Sequence, residues 1–210
     1  MNELEKLGNI PIDNAVLSDI IGNYKFPRNK IATMEKRNEI VRLKKGLYVV
    51  SEKISRKKIS RELIANHLYG ASYVSLEAAL SHYGLIPEKV FTIRSITTKR
   101  AKQFKNTFGY FEYISVPANY FSIGIRQQIV DNEYAYLIAT PEKALCDLIL
   151  ATPRLRLQSV RVVQTYLEDD LRIDFSAVQN IDTGILRQCA EVGRKKVELR
   201  QLLKFLETIK

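Results

Sequence analysis

Two neighbouring stretches decide the reading of this chain: Pro27-Arg-Asn-Lys-Ile-Ala-Thr-Met-Glu-Lys36 and Ile40-Val-Arg-Leu-Lys-Lys-Gly-Leu-Tyr-Val-Val50. In the first, Pro27 suits the opening position of a helix, where its missing N–H costs nothing and its φ is already helical. That helix is expected to run to about Asn38. At 100° per residue Ile31 and Met34 point one way, Asn29, Thr33 and Lys36 the opposite way, and Arg28, Lys30 and Arg37 take the flanks. The second stretch reads as two β-rich arms around Lys44-Lys45-Gly46, with Gly46 supplying the positive φ of a short hairpin loop.

Upstream, Asp13 is a candidate N-cap for a short helix carrying Val16, Leu17, Ile20 and Ile21, which Gly22 stops. Asn23-Tyr24-Lys25 then forms a turn. A short helix, a turn, a second helix with a polar outer face and a basic hairpin make up a winged helix-turn-helix. In that arrangement the second helix enters the major groove. Asn29, Thr33 and Lys36 are expected to read bases, helped by Arg28 and Lys30, while Arg37, Arg42, Lys44 and Lys45 hold phosphates. The alternative for the same residues is a solvated surface on a small dimerisation or protein-docking unit.

Charge agrees with the DNA reading without selecting it. The 210-residue chain has a formal charge of +10, and residues 1–58 hold 13 basic against 7 acidic side chains. More than half the excess therefore lies in the first quarter, as a phosphate-binding module requires, although many basic surfaces are merely solvated. With 46 % hydrophobic and 27 % charged residues, 9 Gly and 6 Pro, collagen-like, low-complexity and disordered classes are excluded. No apolar run approaches the roughly 20 residues needed to cross a bilayer. The acidic start, Met1-Asn-Glu-Leu-Glu-Lys-Leu7, does not read as an export signal, so a cytoplasmic location is expected. Cys146 and Cys189, far apart and without metal-ligand spacing, read as buried reduced thiols.

The polar run Ser51 to Ser60 suggests a boundary, giving a DNA-binding domain at 1–55 and a second domain at 59–210. A helical pattern with Leu63, Ile64, His67 and Leu68 leads to Gly70. Ser75 is then a candidate N-cap for a helix from Leu76 to Tyr83. Strand-like runs follow at Val90–Thr98, Tyr110–Val116, Ile125–Val130 and Tyr134–Ala139. Thr140 and Pro141 open another helix, with Ala144, Leu145, Leu148 and Ile149 as its apolar stripe. The last third reads as helical, ending with Leu199, Leu202, Leu203, Leu206 and Ile209 in helical period and packing on the sheet. The expected fold is α+β: a winged helix-turn-helix followed by a mixed α/β domain that ends in helices.

Enzyme signatures are missing: the chain has no phosphate-binding glycine loop, nucleophile elbow, zinc-protease or kinase motif. No catalytic residue, metal ligand or cofactor is assigned. Asp131, Glu133, Glu142 and Asp147 lie close in sequence, as a metal-dependent nuclease needs, but Glu142 and Asp147 project 140° apart on one helix. Phe108-Gly-Tyr-Phe-Glu-Tyr113 partly matches the aromatic strand of RNA-recognition modules, without the basic residue and glycine that precede it there. Sheet core is the competing explanation of these aromatics. A ligand-responsive regulator, whose α/β domain binds a small molecule, is a further alternative.

Four stretches carry a resemblance: Arg42-Leu-Lys-Lys-Gly-Leu-Tyr48; Tyr73-Val-Ser-Leu-Glu-Ala-Ala-Leu-Ser-His-Tyr-Gly-Leu-Ile86; Thr97-Thr98; and Ala139-Thr-Pro-Glu-Lys-Ala-Leu-Cys-Asp-Leu148. In this order and approximate spacing they resemble the AbiEi antitoxins of bacterial abortive-infection systems, over about residues 12–151. The resemblance implies a non-enzymatic phage-defence protein of a type IV toxin–antitoxin system, whose N-terminal domain represses its own operon by binding inverted repeats, two copies to an operator. It also implies a C-terminal domain that opposes a nucleotidyltransferase-like AbiEii toxin, encoded next door, without a required complex. Tyr73, Ser75, Thr140 and Glu142 become candidates for that second role because they belong to matched motifs. Capping and sheet packing explain them equally well.

Overall fold

A computed structural model describes residues 3–22, 24–178 and 181–209. Asn23, the first residue of the expected turn, lies outside the described residues. The chain opens with one 3-10 turn, Glu5–Leu7, and a two-residue strand β1 (Ile12–Asp13). Asp13 then caps α1 (Asn14–Ile21): its carboxylate accepts from the N–H groups of Ala15 and Val16, both at 2.9 Å. Gly22, at φ 69°, ends the helix. Next comes α2 (Pro27–Lys36), with the proline in its first turn. It stops short of Asn38, which adopts φ 54°.

The hairpin arms are β2 (Ile40–Lys44) and β3 (Leu47–Val50), and β1 pairs on the far side of β3 to make a three-stranded antiparallel sheet. An isolated hairpin on a helical unit would bury one face. Here all four residues of β3 are buried, because its two faces belong to different cores. Tyr48 and Val50 pack with Ile12, Leu17, Ile31, Met34 and Ile40, whereas Leu47 and Val49, with Leu43 of β2, pack into the larger core of the rest of the chain. The hairpin is a shared wall.

Ser51 to Ser60 is correspondingly a folded joint, not a loose boundary. It contains the short helix α3 (Glu52–Ser55), Glu52 Oε1 accepts from the N–H of Ile59 at 2.9 Å, and Asn9 Nδ2 donates to the Lys58 carbonyl at 2.7 Å. Lys57 reaches across to Glu133 at 2.7 Å.

Beyond the joint, α4 (Arg61–Leu68) buries Leu63, Ile64, Ala65 and Leu68; His67, placed in the stripe by its spacing, is exposed. Then follow β4 (Ser72–Val74), α5 (Leu76–His82), β5 (Thr92–Thr97), β6 (Lys102–Asn106), β7 (Gly109–Ser115), the single-turn α6 (Ala118–Phe121), β8 (Ile125–Val130) and β9 (Tyr134–Ala139). They form a six-stranded mixed sheet in the order β6-β7-β5-β4-β9-β8, with β5–β7 and β4–β9 parallel and the other pairs antiparallel. Of the aromatic strand, Phe111 and Tyr113 of β7 are buried in this sheet's core, as sheet packing predicts, while Tyr110 is exposed.

Thr140 caps α7 (Pro141–Ala151), its hydroxyl accepting from the Lys143 N–H at 3.4 Å. The sequence suggests one apolar stripe on this helix. In the structure every residue from Glu142 to Ile149 is buried. The cause is the C-terminal third: α8 (Val160–Thr165), a π turn at Tyr166–Asp170, α9 (Thr183–Val192) and α10 (Lys196–Thr208) pack on one another and on α7, not chiefly on the sheet. Helix α7 thus lies enclosed between sheet and helices. The molecule is a mixed α+β structure, and among the described residues no helix is long and apolar enough to cross a membrane.

Candidate nucleic-acid interface

Helix α2 turns one side to the core and the other to solvent. Ile31 and Met34 are buried at 4 % exposure each, while Arg28, Asn29, Thr33, Lys36 and Arg37 on the outer side are exposed and Lys30 is half-buried. Burying the two apolar side chains contributes roughly 1.5–3 kcal/mol each and fixes the helix rotation, so the polar row cannot turn inward. Thr33, itself exposed, donates its hydroxyl to the Asn29 carbonyl at 2.9 Å, so the oxygen keeps only acceptor capacity for another partner. Lys30 lies over the Tyr24 ring at 5.3 Å.

Between α2 and the hairpin runs a cleft of about 530 Å³ lined by Asn14, Arg28, Arg42, Lys45, Gly46 and Tyr48, among others, and among the described residues no acid stands in its wall. Arg42 is partly engaged: it pairs with Glu35 at 2.6 Å and lies 5.7 Å over the Tyr48 ring. Arg37 lies 3.9 Å from Glu39. Among the described residues no carboxylate pairs with Arg28, Lys36 or Lys45. A concave surface with unneutralised cations attracts phosphate, because binding releases condensed counterions.

Lys44 departs from the sequence expectation that it holds phosphate beside Lys45. Its ammonium turns into the junction with the second unit and donates to the Leu68 carbonyl at 2.6 Å, 5.9 Å from the Phe104 ring. The irregular register between Arg42 and Lys44 rotates the side chain away from the α2 face. Burial, and then the charges of Lys102 and Lys99, hold its pKa below the usual lysine value.

Tyr24 and Lys25 read from the sequence only as turn residues, and Phe26 is not singled out there. With Asn29, Lys30, Thr33 and Arg37 they line a second groove, of about 480 Å³, along the other side of α2. Exposed aromatics on a turn were the available signal.

In the second unit the structure gathers residues that the motifs only place side by side. Asp147, fully buried on α7, accepts on Oδ2 from Ser75 Oγ at 2.6 Å and Tyr73 OH at 3.1 Å. On Oδ1 it accepts from Tyr120 OH at 2.8 Å and faces Lys143 Nζ at 3.3 Å. Lys143 also donates to the Tyr120 carbonyl at 2.9 Å. Burial raises the Asp147 pKa, opposed by Lys143 and by the hydroxyls of Ser75 and Tyr120, and burial pushes the Tyr73 hydroxyl well above the ordinary tyrosine value. Ser75 stands at the N-cap position of α5, as the sequence suggests, but makes no side-chain capping bond; its hydroxyl is turned to Asp147, to which it donates. Thr140 caps α7, and Glu142 accepts from the Asp182 N–H at 2.9 Å, fastening the approach to α9.

Each candidate of the second unit thus has a structural partner. Tyr120 lies outside the matched motifs, and Lys143 and Asp147, though within the last of them, are not singled out for this role, since nothing in sequence separation says that residues 73, 120 and 147 meet. Asp131, Glu133, Glu142 and Asp147 are dispersed, and among the described residues no three His, Cys, Asp or Glu side chains are grouped to hold a metal. Cys146 and Cys189 are buried free thiols.

No family model and no curated protein matches the chain. The functional reading therefore rests on the residues themselves and on the motif resemblance.

Proposed function

We propose that this chain is a winged-helix DNA-binding repressor that acts as the antitoxin of an AbiEi-like type IV system. The observation that carries the DNA-binding part is the outward face of α2, with Asn29, Thr33 and Lys36 opposite buried Ile31 and Met34 and flanked by the cleft of Arg28, Arg42 and Lys45. In this reading residues 1–55 are the DNA-binding domain, α2 lies in the major groove, and the β2–β3 hairpin is the wing that tracks the backbone. Asn29 has the donor and acceptor that adenine's major-groove edge requires. Two copies sit on an inverted repeat in the protein's own promoter, with half-site centres whole turns apart, about 10 base pairs per turn.

The antitoxin part rests on the resemblance alone. In it, residues 59–210 oppose a neighbouring nucleotidyltransferase-like toxin without a required complex, and the chain is a cytoplasmic, non-enzymatic protein.

The deciding experiment is a gel shift of the full chain on its own upstream region against random DNA of equal length at about 150 mM salt, with and without magnesium. Promoter-specific bands without cleavage support the repressor; equal affinity for both DNAs removes it; magnesium-dependent cutting replaces it with a nuclease. Toxin rescue by the full chain tests the antitoxin part.

One observation favours a ligand-responsive regulator as the second reading: a cavity of about 200 Å³ with largely apolar walls, lined also by the polar residues Tyr120, Asp147 and Arg194. A metabolite that raises the melting temperature and shifts DNA affinity together would support it.

A further inference from the structure

The turn leading into α2 leaves two large rings in solvent: Tyr24 is 54 % exposed and Phe26 59 %. Phe26 is not loose at its backbone attachment. Its carbonyl accepts from the N–H groups of Asn29 and Lys30, at 3.1 and 3.3 Å, so its backbone is part of the first turn of α2. Each ring carries an ammonium, Lys25 over Phe26 at 5.8 Å and Lys30 over Tyr24 at 5.3 Å. Both rings line the groove that Asn29, Thr33 and Arg37 share. An exposed aromatic pair at a fixed position marks a binding surface, because burying such rings is strongly favourable.

The charges around the rings select the occupant. Phe26 also borders the groove between α1 and α2, where Arg28 and Lys25 are the charged residues, and among the described residues neither groove is lined by an acid. A second copy of this chain docking ring to ring would bring Lys25, Arg28, Lys30 and Arg37 against their own images. Duplex DNA instead offers phosphates to the cations and, in the major groove, one apolar group on a base edge: the 5-methyl of thymine.

Resting on the DNA reading above, we propose that Tyr24 and Phe26 are specificity determinants that recognise thymine methyl groups in each half-site, at the N-terminal end of α2. The hydrogen-bonding side chains Asn29 and Thr33 then read the neighbouring bases from the same groove. Removal of one buried methyl should weaken binding by about three- to fivefold.

The test compares two operator duplexes, defined by footprinting of the wild-type protein, that differ only in thymine against deoxyuridine throughout the half-sites. Deoxyuridine keeps every hydrogen-bonding group and lacks the methyl. The full-length wild type is expected to bind the thymine duplex at least about threefold more tightly. Phe26→Ala should lose affinity for the thymine duplex and little for the deoxyuridine one, Tyr24→Ala with Phe26→Ala should abolish the discrimination, and Phe26→Leu should keep part of it. Both rings are exposed, so the melting temperature should hardly move in these variants. Wild type that ignores the methyl groups, or a double variant that discriminates as well as wild type, overturns the assignment while leaving the DNA reading intact. Wild type that binds neither promoter duplex overturns the DNA reading and this inference together.

Discussion

Lys44 and Lys45 are adjacent in sequence and serve opposite sides of the hairpin. Lys44 Nζ bonds the Leu68 carbonyl at 2.6 Å in the junction between the two cores, while Lys45 is exposed at the mouth of the cleft that Arg28 and Arg42 line. Lys45→Ala is expected to weaken promoter and random DNA alike and to flatten the dependence of log K on log salt by about 0.9 per lost phosphate contact. Lys44→Ala should leave that slope unchanged and lower the melting temperature. Titrations at several salt concentrations, read beside thermal melts, separate the two; a flattened slope for Lys44→Ala would contradict the geometry.

The same lysine gives stability a pH signature. Its folded pKa lies below its unfolded value of about 10.5, so below both values the two states are protonated alike and the folded state carries the whole cost of its partly desolvated charge. The cost is relieved as pH rises from the folded pKa to the unfolded one. In urea unfolding from about pH 7 to about pH 10.5, wild type should therefore gain stability relative to Lys44→Met. A difference independent of pH would rule out this source.

Asp147→Asn removes the carboxylate that faces the buried Lys143 ammonium. An uncompensated buried charge of this kind costs about 3–5 kcal/mol. Adding Lys143→Met removes that charge, and the introduced amide offers its oxygen to one side of the cluster, Ser75 or Tyr120, and its NH2 to the other, where the hydroxyl turns to accept. The double variant is expected to be more stable than Asp147→Asn alone, as measured by denaturant midpoints. A cost below about 0.5 kcal/mol for the single change would show that Asp147 is not held as an ion pair.

Because the hairpin faces two cores, the N-terminal unit should not be autonomous. A fragment of residues 1–58 would expose Leu43, Leu47 and Val49, all buried in the full chain. Each exposure forgoes roughly 1.5–3 kcal/mol, a large fraction of the stability of so small a unit. Circular dichroism should find the fragment unfolded or melting well below the full chain. A fragment that melts with the full chain would show that the cores are energetically separate.

Local chemistry accounts for the features legible in the chain. Asp13, Gly22, Pro27, Gly46 and Thr140 each act within a few residues of themselves, through a cap, a positive φ or a fixed φ, and each stands where its residue type suggests. The periodicity of Ile31 and Met34 likewise sets the outward row of α2. Less visible is β6, whose Lys-Gln-Phe-Lys-Asn composition lacks a strand's apolar alternation and which forms by pairing with β7. Ser75 occupies the cap position that local sequence suggests, but the partner to which its hydroxyl donates, Asp147, is 72 residues away and cannot be read locally.

Helical period and short-range backbone preference are enough to lay down the order of most elements, the two faces of α2 and the localisation of positive charge, and all of these can be read along the chain. Packing over long distances is what turns Lys44 from Lys45, buries β3 on both faces, encloses α7, and brings Tyr73, Ser75, Tyr120 and Lys143 together on Asp147. A buried carboxylate or ammonium must find partners wherever packing brings them, and the burial that creates this need is produced by surfaces distant in the chain.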